Sequence, residues 1–210
     1  MPVPAALHDR VVHGRRVRRL VDLLSAEVPP GTTSLLDVGC GDGRITRAVG
    51  DRSPGMEVTG LDVFPRPETA VPVTVYDGHR LPFDDDSHDV VMMVDVLHHS
   101  DDPRALLAEA RRVARRAVLV KDHCLDGALA YQTLRLMDWV GNAQHSVALP
   151  YNYWPRARWL RACDELGLTV AAWRTELGLY PAPFRPLFER SLHFVARFEV
   201  AATDEPPPPG

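Results

Sequence analysis

The sequence has little cysteine, no long apolar run and no excess of basic residues. Its three cysteines, Cys40, Cys124 and Cys163, are far apart, so they indicate neither a disulfide framework nor a zinc site and suit a reducing compartment. No stretch approaches the ~18 unbroken apolar residues of a membrane span, and the first residues lack a signal-peptide pattern. A net charge of −4 argues against general binding of nucleic acids. We therefore expect a cytoplasmic protein with no membrane span and no nucleic-acid partner.

Short apolar runs alternate with helical segments through the first 121 of the 210 residues. The run Val90–Val94 is apolar throughout, which is typical of a parallel strand that is buried on both faces. The predicted strands are Ser34–Val38, Glu57–Leu61, Val71–Tyr76, Asp89–Val94 and Ala117–Lys121, with helices at Arg44–Val49 and Pro103–Val113. This alternation predicts a doubly wound α/β fold.

We predict that residues 1–203 form one domain. Its parts are an N-terminal helix (7–26), a cofactor-binding half (34–121), a helical, aromatic-rich insertion (125–155), and a C-terminal helix with two strands (156–203). Residues 204–210 are mostly proline and cannot bury a core, so we expect a disordered tail.

A glycine-rich turn follows the first predicted strand. It reads Asp37-Val-Gly39-Cys-Gly41-Asp-Gly43, and ligands of open α/β sheets bind beyond such strand ends. Glycines allow a tight turn and a close approach of the backbone to a ligand. Their spacing differs from the dinucleotide fingerprint, G-x-G-x-x-G. Asp62 ends the second strand, where a carboxylate can bind the hydroxyls of a ribose.

Polar residues also end the next three predicted strands. They are Asp77-Gly78, then the segment Asp95–His99, then Lys121-Asp122-His123. Together with the glycine turn, these segments resemble the class I S-adenosylmethionine-dependent methyltransferase family, of the small-molecule type that includes quinone-ring methyltransferases. The resemblance extends from Leu35 to Lys121.

The resemblance implies a Rossmann-like sheet of seven mostly parallel strands with an antiparallel last strand, and a lid formed by the insertion after the fifth strand. It also implies that Asp62 holds the ribose hydroxyls of S-adenosylmethionine and that Asp77 meets the adenine amino group. The cofactor-binding residues are then Asp37, Gly39, Cys40, Gly41, Gly43, Asp62, Val63, Asp77, Gly78, Asp95 and Val96.

Histidines at the ends of the fourth and fifth strands are the candidate catalytic residues. Methyl transfer to a hydroxyl, amine or acidic carbon needs proton removal, which suits the histidine pKa. The candidates are His98, His99 and His123. They could instead only hydrogen-bond the backbone, or join Asp95 and Asp122 around a metal such as Zn, Mn or Fe; our prediction is a site without metal. The similarity of Asp95–His99 to the Glu-x-x-Glu-His stretch of metal-dependent O-methyltransferases is the reason for that alternative.

The sequence therefore predicts an enzyme that methylates O, N or C of a small molecule. Aromatic residues in the insertion, Trp139, Tyr151 and Trp154, suit an apolar or planar acceptor, although they could equally build a second small core. The alternatives are a cyclase or decarboxylase that uses the same cofactor, and a non-catalytic cofactor-binding module. The sequence leaves the acceptor and the oligomeric state open.

Overall fold

A single seven-stranded sheet with helices on both faces frames the protein. The computed structural model describes residues 5–142, 151–180, 188–189 and 191–201. The strands are β1 (Ser34–Val38), β2 (Glu57–Asp62), β3 (Val73–Val75), β4 (His88–Val94), β5 (Ala114–His123), β6 (Leu168–Arg174) and β7 (His193–Val200). The helices are α1 (Ala5–Glu27), α2 (Arg44–Gly50), α3 (Pro103–Val113), α4 (Ala130–Asn142) and α5 (Arg156–Glu165), with one 3₁₀ turn at Leu97–His99.

The strand order is β3-β2-β1-β4-β5-β7-β6. Strands β1 to β5 pair in parallel, whereas β7 runs antiparallel to both of its neighbours, β5 and β6. The order reverses between β1 and β4, so the carboxyl ends of these two strands flank the position where such sheets bind ligands. The predicted Rossmann-like sheet with its antiparallel last strand is confirmed.

Two apolar cores sandwich the sheet because alternate residues of each strand point to opposite faces. On β4, Val91 and Met93 pack with α3 and α5, while Val90 and Met92 pack with α1 and α2. Leu20, Val21 and Leu24 of α1, which recur at helical spacing, belong to the second core. Burial on both faces explains why the central strands read as unbroken apolar runs.

Two elements start later than the sequence predicts. β3 begins after Pro72, because proline has no N–H to donate to a ladder; the Pro72 carbonyl only accepts a bond from Gly60 N. The helix that was predicted from Leu125 begins at Ala130, since Gly127 (φ 97°) and Leu129 (φ 61°) hold the preceding backbone in the left-handed region.

Some predictions fall outside the described residues. These are the tail 204–210 and the part of the insertion at 143–150. Among the described residues, no helix has the length and apolarity that would let it cross a bilayer. The three cysteines are free thiols.

Candidate functional site

The glycine turn forms a loop that runs against the end of β2. Gly39, Gly41 and Gly43 all have positive φ, at 74°, 59° and 71°. The loop is tied to the neighbouring strand by bonds from Gly39 N and Cys40 N to the Leu61 carbonyl, at 2.6 and 3.2 Å. The sequence pattern therefore produces the left-handed turn that its glycines allow.

Asp62 organises this loop. Its carboxylate is buried and accepts from Gly41 N at 2.7 Å and from Phe64 N at 2.9 Å. A carboxylate has about four lone-pair sites, so two of them remain for other donors, including hydroxyls. The turn-forming role is therefore present, and it is compatible with the predicted ribose contact.

Two more ionisable groups belong to this part of the site, Asp37 on β1 and Cys40 within the loop. Asp37 is buried on β1 and accepts a bond from the Thr46 hydroxyl. Burial raises the pKa of Asp37 to about 7; the Thr46 bond lowers it and the charge of Asp62 raises it further. Cys40 has a thiol whose pKa burial raises to about 12, so it stays protonated at neutral pH and does not act as a nucleophile.

A cavity of about 480 Å³ lies next to the loop. Its wall includes Val63 after β2, Asp77 and Gly78 after β3, and Val96 and His99 after β4. These are five of the predicted site residues, and they come from three separate strand ends. Val96 packs against the glycine loop, since a Cβ on Gly39 would lie 2.5 Å from its Cγ2 atom, so this side chain lies between the loop and the cavity.

Asp77 is an exposed residue in the wall of the cavity. Its Oδ1 atom accepts from the backbone N–H groups of His79 and Arg80, at 2.8 and 3.2 Å. These bonds favour the charged carboxylate and lower the pKa of Asp77. The carboxylate is thereby fixed through Oδ1, and its exposed side chain can accept from a ligand amine.

The three candidate catalytic histidines lie together at the ends of β4 and β5. The ring centroid of His98 is 4.0 Å from that of His99 and 4.2 Å from that of His123. His98 and His123 are both buried, whereas His99 is half-buried and reaches the cavity wall. Tyr153 covers the buried pair, with ring centroids at 5.9 and 5.6 Å.

Asp122 on β5 holds two of these imidazoles. Its Oδ1 atom lies 2.6 Å from His98 Nδ1 and 3.5 Å from His123 Nδ1, and it also accepts from His123 N at 2.6 Å. Its Oδ2 atom accepts from Leu97 N at 3.0 Å. Burial alone would raise the pKa of Asp122, but His98, His123 and these hydrogen bonds hold it well below its usual value. Asp122 is therefore a buried carboxylate in its charged form.

A second ion pair stands beside the histidines. Asp95 has a positive φ of 57° and accepts a hydrogen bond from the fully buried Lys121 ammonium. Its other oxygen lies 3.9 Å from Arg16 of α1. Burial opposes ionisation, but Lys121 and His123 hold the pKa of Asp95 well below its usual value. The backbone strain at Asp95 is the kind that structures retain at functional sites.

His193 completes the cluster from β7. It is directly opposite His123 in the antiparallel ladder, and the two ring centroids are 4.8 Å apart. Both of its ring nitrogens are buried and have no hydrogen-bond partner among the described residues. Burial and then Lys121 lower its pKa well below the usual value, so His193 is neutral at pH 7.

Sequence reasoning missed Lys121 as an ion-pair partner and missed His193 altogether. A lysine and an aspartate at the end of an otherwise apolar buried strand are a signal that could have identified Lys121 and Asp122, because buried charges are normally paired. Nothing local marks His193, which reaches the site only because β7 inserts beside β5.

The arrangement of the loop and cavity fits S-adenosylmethionine. A Cβ on Gly41 would meet no protein atom within 4 Å, so the space that faces this residue is open to a ligand. The carboxylates of Asp62 and Asp77 suit ribose hydroxyls and an adenine amine, and they make the surroundings negative, which favours a ligand with positive charge.

A metal fits the histidine cluster less well. Asp95, His98 and His123 each offer a ligand atom within 4.8 Å of the other two. Lys121, however, already donates to Asp95, and Asp122 already accepts from His98. A divalent cation at this position would lie close to a buried ammonium group, which would repel it. The contacts favour proton chemistry at this cluster.

Comparison with known proteins finds similarity to methyltransferases. A family described as a methyltransferase domain matches residues 36–120. The chain is 32% identical over 106 residues to a demethylmenaquinone methyltransferase from Thermotoga maritima, a match that covers 47% of this chain and 45% of that protein. The chain thus aligns with less than half the length of this curated relative.

Solved structures share the fold. A chain from the complex between the Haloferax volcanii Trm112 methyltransferase activator and a methyltransferase has a TM-score of 0.68 at 19% identity, covering 93% of this chain and 95% of that one. An S-adenosylmethionine-dependent methyltransferase from Mesorhizobium loti has a TM-score of 0.65 at 17% identity, covering 90% and 99%. Residues 36–120, which match the methyltransferase-domain family, contain the glycine loop and the carboxyl ends of β1 to β4, and the chain shares its fold with S-adenosylmethionine-dependent methyltransferases.

Proposed function

We propose that the chain transfers the methyl group of S-adenosylmethionine to an O, N or C atom of a small apolar or aromatic molecule. The observation that carries this proposal is the cavity next to the glycine loop, whose wall includes Asp77, Val96 and His99. It adjoins a buried cluster of histidines at the same edge of the sheet. Cofactor binding and proton removal can thus occur side by side.

The predicted cofactor contacts follow the strand ends. Asp62 would hold the ribose hydroxyls while it fixes the loop through Gly41 N. Asp77 would accept from the adenine amino group, and Val63 and Val96 would pack on the two faces of the ring. The open space at Gly41 would accommodate the methionine part. When bound, the cofactor supplies a methyl carbon that is electrophilic because its sulfur is positively charged.

A histidine of the cluster would remove the proton from a hydroxyl or acidic carbon acceptor. Asp122 is a carboxylate and can only accept, so the His98 Nδ1 atom carries the proton and Nε2 is the basic nitrogen. Burial and the neighbouring His98 lower the pKa of His123, which keeps that ring in its basic form at neutral pH. Both rings are therefore in a state that can accept a proton.

The surroundings of the cluster favour an apolar acceptor with a planar ring. Tyr153 lies near both buried histidines, and the rings of Tyr131 and Tyr151 each have their centroid 6.1 Å from that of Tyr153. We infer that the insertion after β5 covers the acceptor, as the family resemblance implies. The name of the Thermotoga relative points to demethylmenaquinone, a molecule of this chemical kind. The free thiols are compatible with the cytoplasm as its compartment.

A direct test uses purified protein, S-adenosylmethionine with a labelled methyl group, and a panel of reduced naphthoquinones, catechols, phenols and aryl amines. We expect labelled product and S-adenosylhomocysteine in equal amounts with at least one ring acceptor, and none with the Gly41→Val variant. Activity should persist in the presence of a chelator. Transfer only to nucleic acid or protein would contradict the proposal, and loss of activity on chelation would contradict its metal-free chemistry.

A further inference from the structure

We propose that Asp122 makes His98 and His123 a single proton-accepting unit, in which Asp122 is a positioning residue for both rings. The inference rests on the proposed function, since it assigns the proton chemistry of that site. It predicts that the two histidines partly substitute for each other, whereas nothing in the cluster substitutes for Asp122.

The geometry gives both rings the same carboxylate oxygen. Asp122 Oδ1 is 2.6 Å from His98 Nδ1 and 3.5 Å from His123 Nδ1, and the two Nδ1 atoms are 3.1 Å apart. At that separation the two Nδ1 atoms cannot both carry a proton, because their N–H groups would point at each other. One proton is therefore shared between the two Nδ1 atoms, and it is donated to Asp122 Oδ1. Two backbone N–H groups, of Leu97 and His123, fix the carboxylate in this place.

The position of the shared proton determines which imidazole nitrogen can accept a proton from the methyl acceptor. While the shared proton lies between the Nδ1 atoms and Asp122, the basic nitrogen is the Nε2 atom of the ring that holds it. The proton that leaves the acceptor would go to that Nε2 atom. The electron pair left on the acceptor would bond to the methyl carbon while the methyl–sulfur bond breaks, its electrons remaining on the sulfur of the departing S-adenosylhomocysteine. The resulting imidazolium faces the Asp122 carboxylate, which stabilises its charge as the aspartate of a catalytic triad does.

The other charges around the cluster do not compete for this role. On the β4 side, Asp95 is held by Lys121 of β5, and Arg16 of α1 is near its second oxygen. His193 of β7 is opposite His123 and is neutral. His99 and Tyr153 pack near the rings with their aromatic side chains. Asp122 lies within hydrogen-bond reach of His98.

The first test needs no activity. Nitrogen NMR of protein with labelled histidines reports the tautomer and titration of each ring, with assignments from single His→Gln variants. In the wild type we expect a protonated Nδ1 on His98 and signals of His98 and His123 that move together with pH. In Asp122→Asn both rings should become protonated only at a pH lower by about one unit or more, because an opposite charge within ~4–6 Å shifts a pKa by that amount.

The matched control is Asp89→Asn. Asp89 is also a buried carboxylate that accepts a backbone N–H, but it lies at the start of β4, at the opposite edge of the sheet. We expect the same loss of a buried charge with no change in the titration of His98 or His123. A His98 ring that carries its proton on Nε2 in the wild type overturns the proposal, even where Asp122→Asn does not fold.

The second test measures turnover with the best acceptor from the panel. We expect His98→Gln and His123→Gln each to retain part of the activity, and the double variant and Asp122→Asn each to lose about 10²–10⁴ in turnover, with unchanged affinity for the cofactor. Independent, multiplying losses in the two single variants would overturn the shared unit. If the wild type transfers no methyl group, the proposed function fails, while the NMR result still decides the role of Asp122.

Discussion

At the scale of single residues, the three loop glycines have different reasons to be glycine. A Cβ on Gly39 would lie 2.5 Å from Val96 Cγ2, and one on Gly43 would lie 2.7 Å from Val71 Cγ2. These two glycines are required for packing within the protein as well as for their positive φ. Gly41 shares the backbone conformation but faces open space, so it separates the requirements of the ligand from those of the fold.

Gly41→Val should therefore abolish binding of S-adenosylmethionine, because the new side chain occupies the ligand space; its cost to stability is the backbone strain of valine at a positive φ, with no clash against the core. Calorimetry with S-adenosylmethionine and S-adenosylhomocysteine measures the affinity, and circular dichroism checks the fold. Gly43→Val serves as the contrast, since its side chain would also clash with Val71 and should lower the free energy of unfolding by more. Normal cofactor affinity in Gly41→Val would show that the loop does not border the cofactor.

The buried Asp37 predicts a pH dependence of stability. Its pKa is about 7 in the folded protein and near 3.8 in an unfolded chain, so the folded state binds the proton more tightly. The contribution of this group to stability is complete below about pH 4 and decreases as the pH rises to about 7. Asp37→Asn, which resembles the protonated acid, should remove this decrease.

Urea unfolding of the wild type and of Asp37→Asn at pH 5 and pH 8 measures the effect. Other groups also titrate in this range, so the informative quantity is the difference between the two proteins. We expect the variant to gain stability relative to the wild type between the lower and the higher pH. A difference that stays constant would mean that the carboxyl is not held in its neutral form by burial.

At the scale of elements, one arginine fixes the segment between β3 and β4. Arg112 at the end of α3 donates to the carbonyls of Leu81 and Phe83, at 3.0 and 2.8 Å. It also donates to Glu109 and Asp85. This segment directly follows Asp77 and Gly78, which line the cavity, so the guanidinium supports one wall of the site from behind.

Arg112→Gln should lower the free energy of unfolding by about 1.5–3 kcal/mol, the range for hydrogen bonds that involve a charged group. Chemical unfolding at pH 7 measures this change. The matched control is Arg44→Gln, because Arg44 pairs with Asp42 on the surface with 81% of its side chain exposed, and exposed pairs contribute little. Equal effects of the two substitutions would rule out the proposed support.

Local signals explain which elements the sequence could predict. β1 and its glycine loop follow from an apolar run that ends in residues able to adopt positive φ, and β4 follows from burial on both faces. The predicted start of β3 was wrong because the strand is short, lies at the edge of the sheet and follows Pro72. The predicted start of α4 was wrong because the left-handed conformation of Leu129 has no strong sequence signature.

The site was predictable only in part, because some of its contacts have local sequence signals and others do not. Strand ends converge by topology, so the positions of His98, His99 and His123 after the fourth and fifth strands were enough to place them in one candidate site. The pairing of Lys121 with Asp95 depends on the register of β4 and β5, which residue types do not specify. The ribose and adenine contacts remain predictions, to be decided by a bound cofactor.

At the scale of the whole molecule, the histidine cluster joins distant parts of the chain. Arg16 comes from α1, Asp95 and His98 from the end of β4, Asp122 from β5, and His193 from β7. No short segment contains the site, so its geometry depends on complete assembly of the sheet. The strand order is the feature that makes this dependence strict.

That order also has a consequence for how the protein is made. β6 leaves the ribosome before β7, yet its only described strand partner is β7, which lies between it and β5. Until β7 emerges, β5 has an unpaired edge with buried-type residues such as Val118 and Val120 exposed to other chains. A pause in translation after β6 would therefore leave an inactive nascent chain that is prone to aggregate. We expect a chaperone to bind the nascent chain at that length.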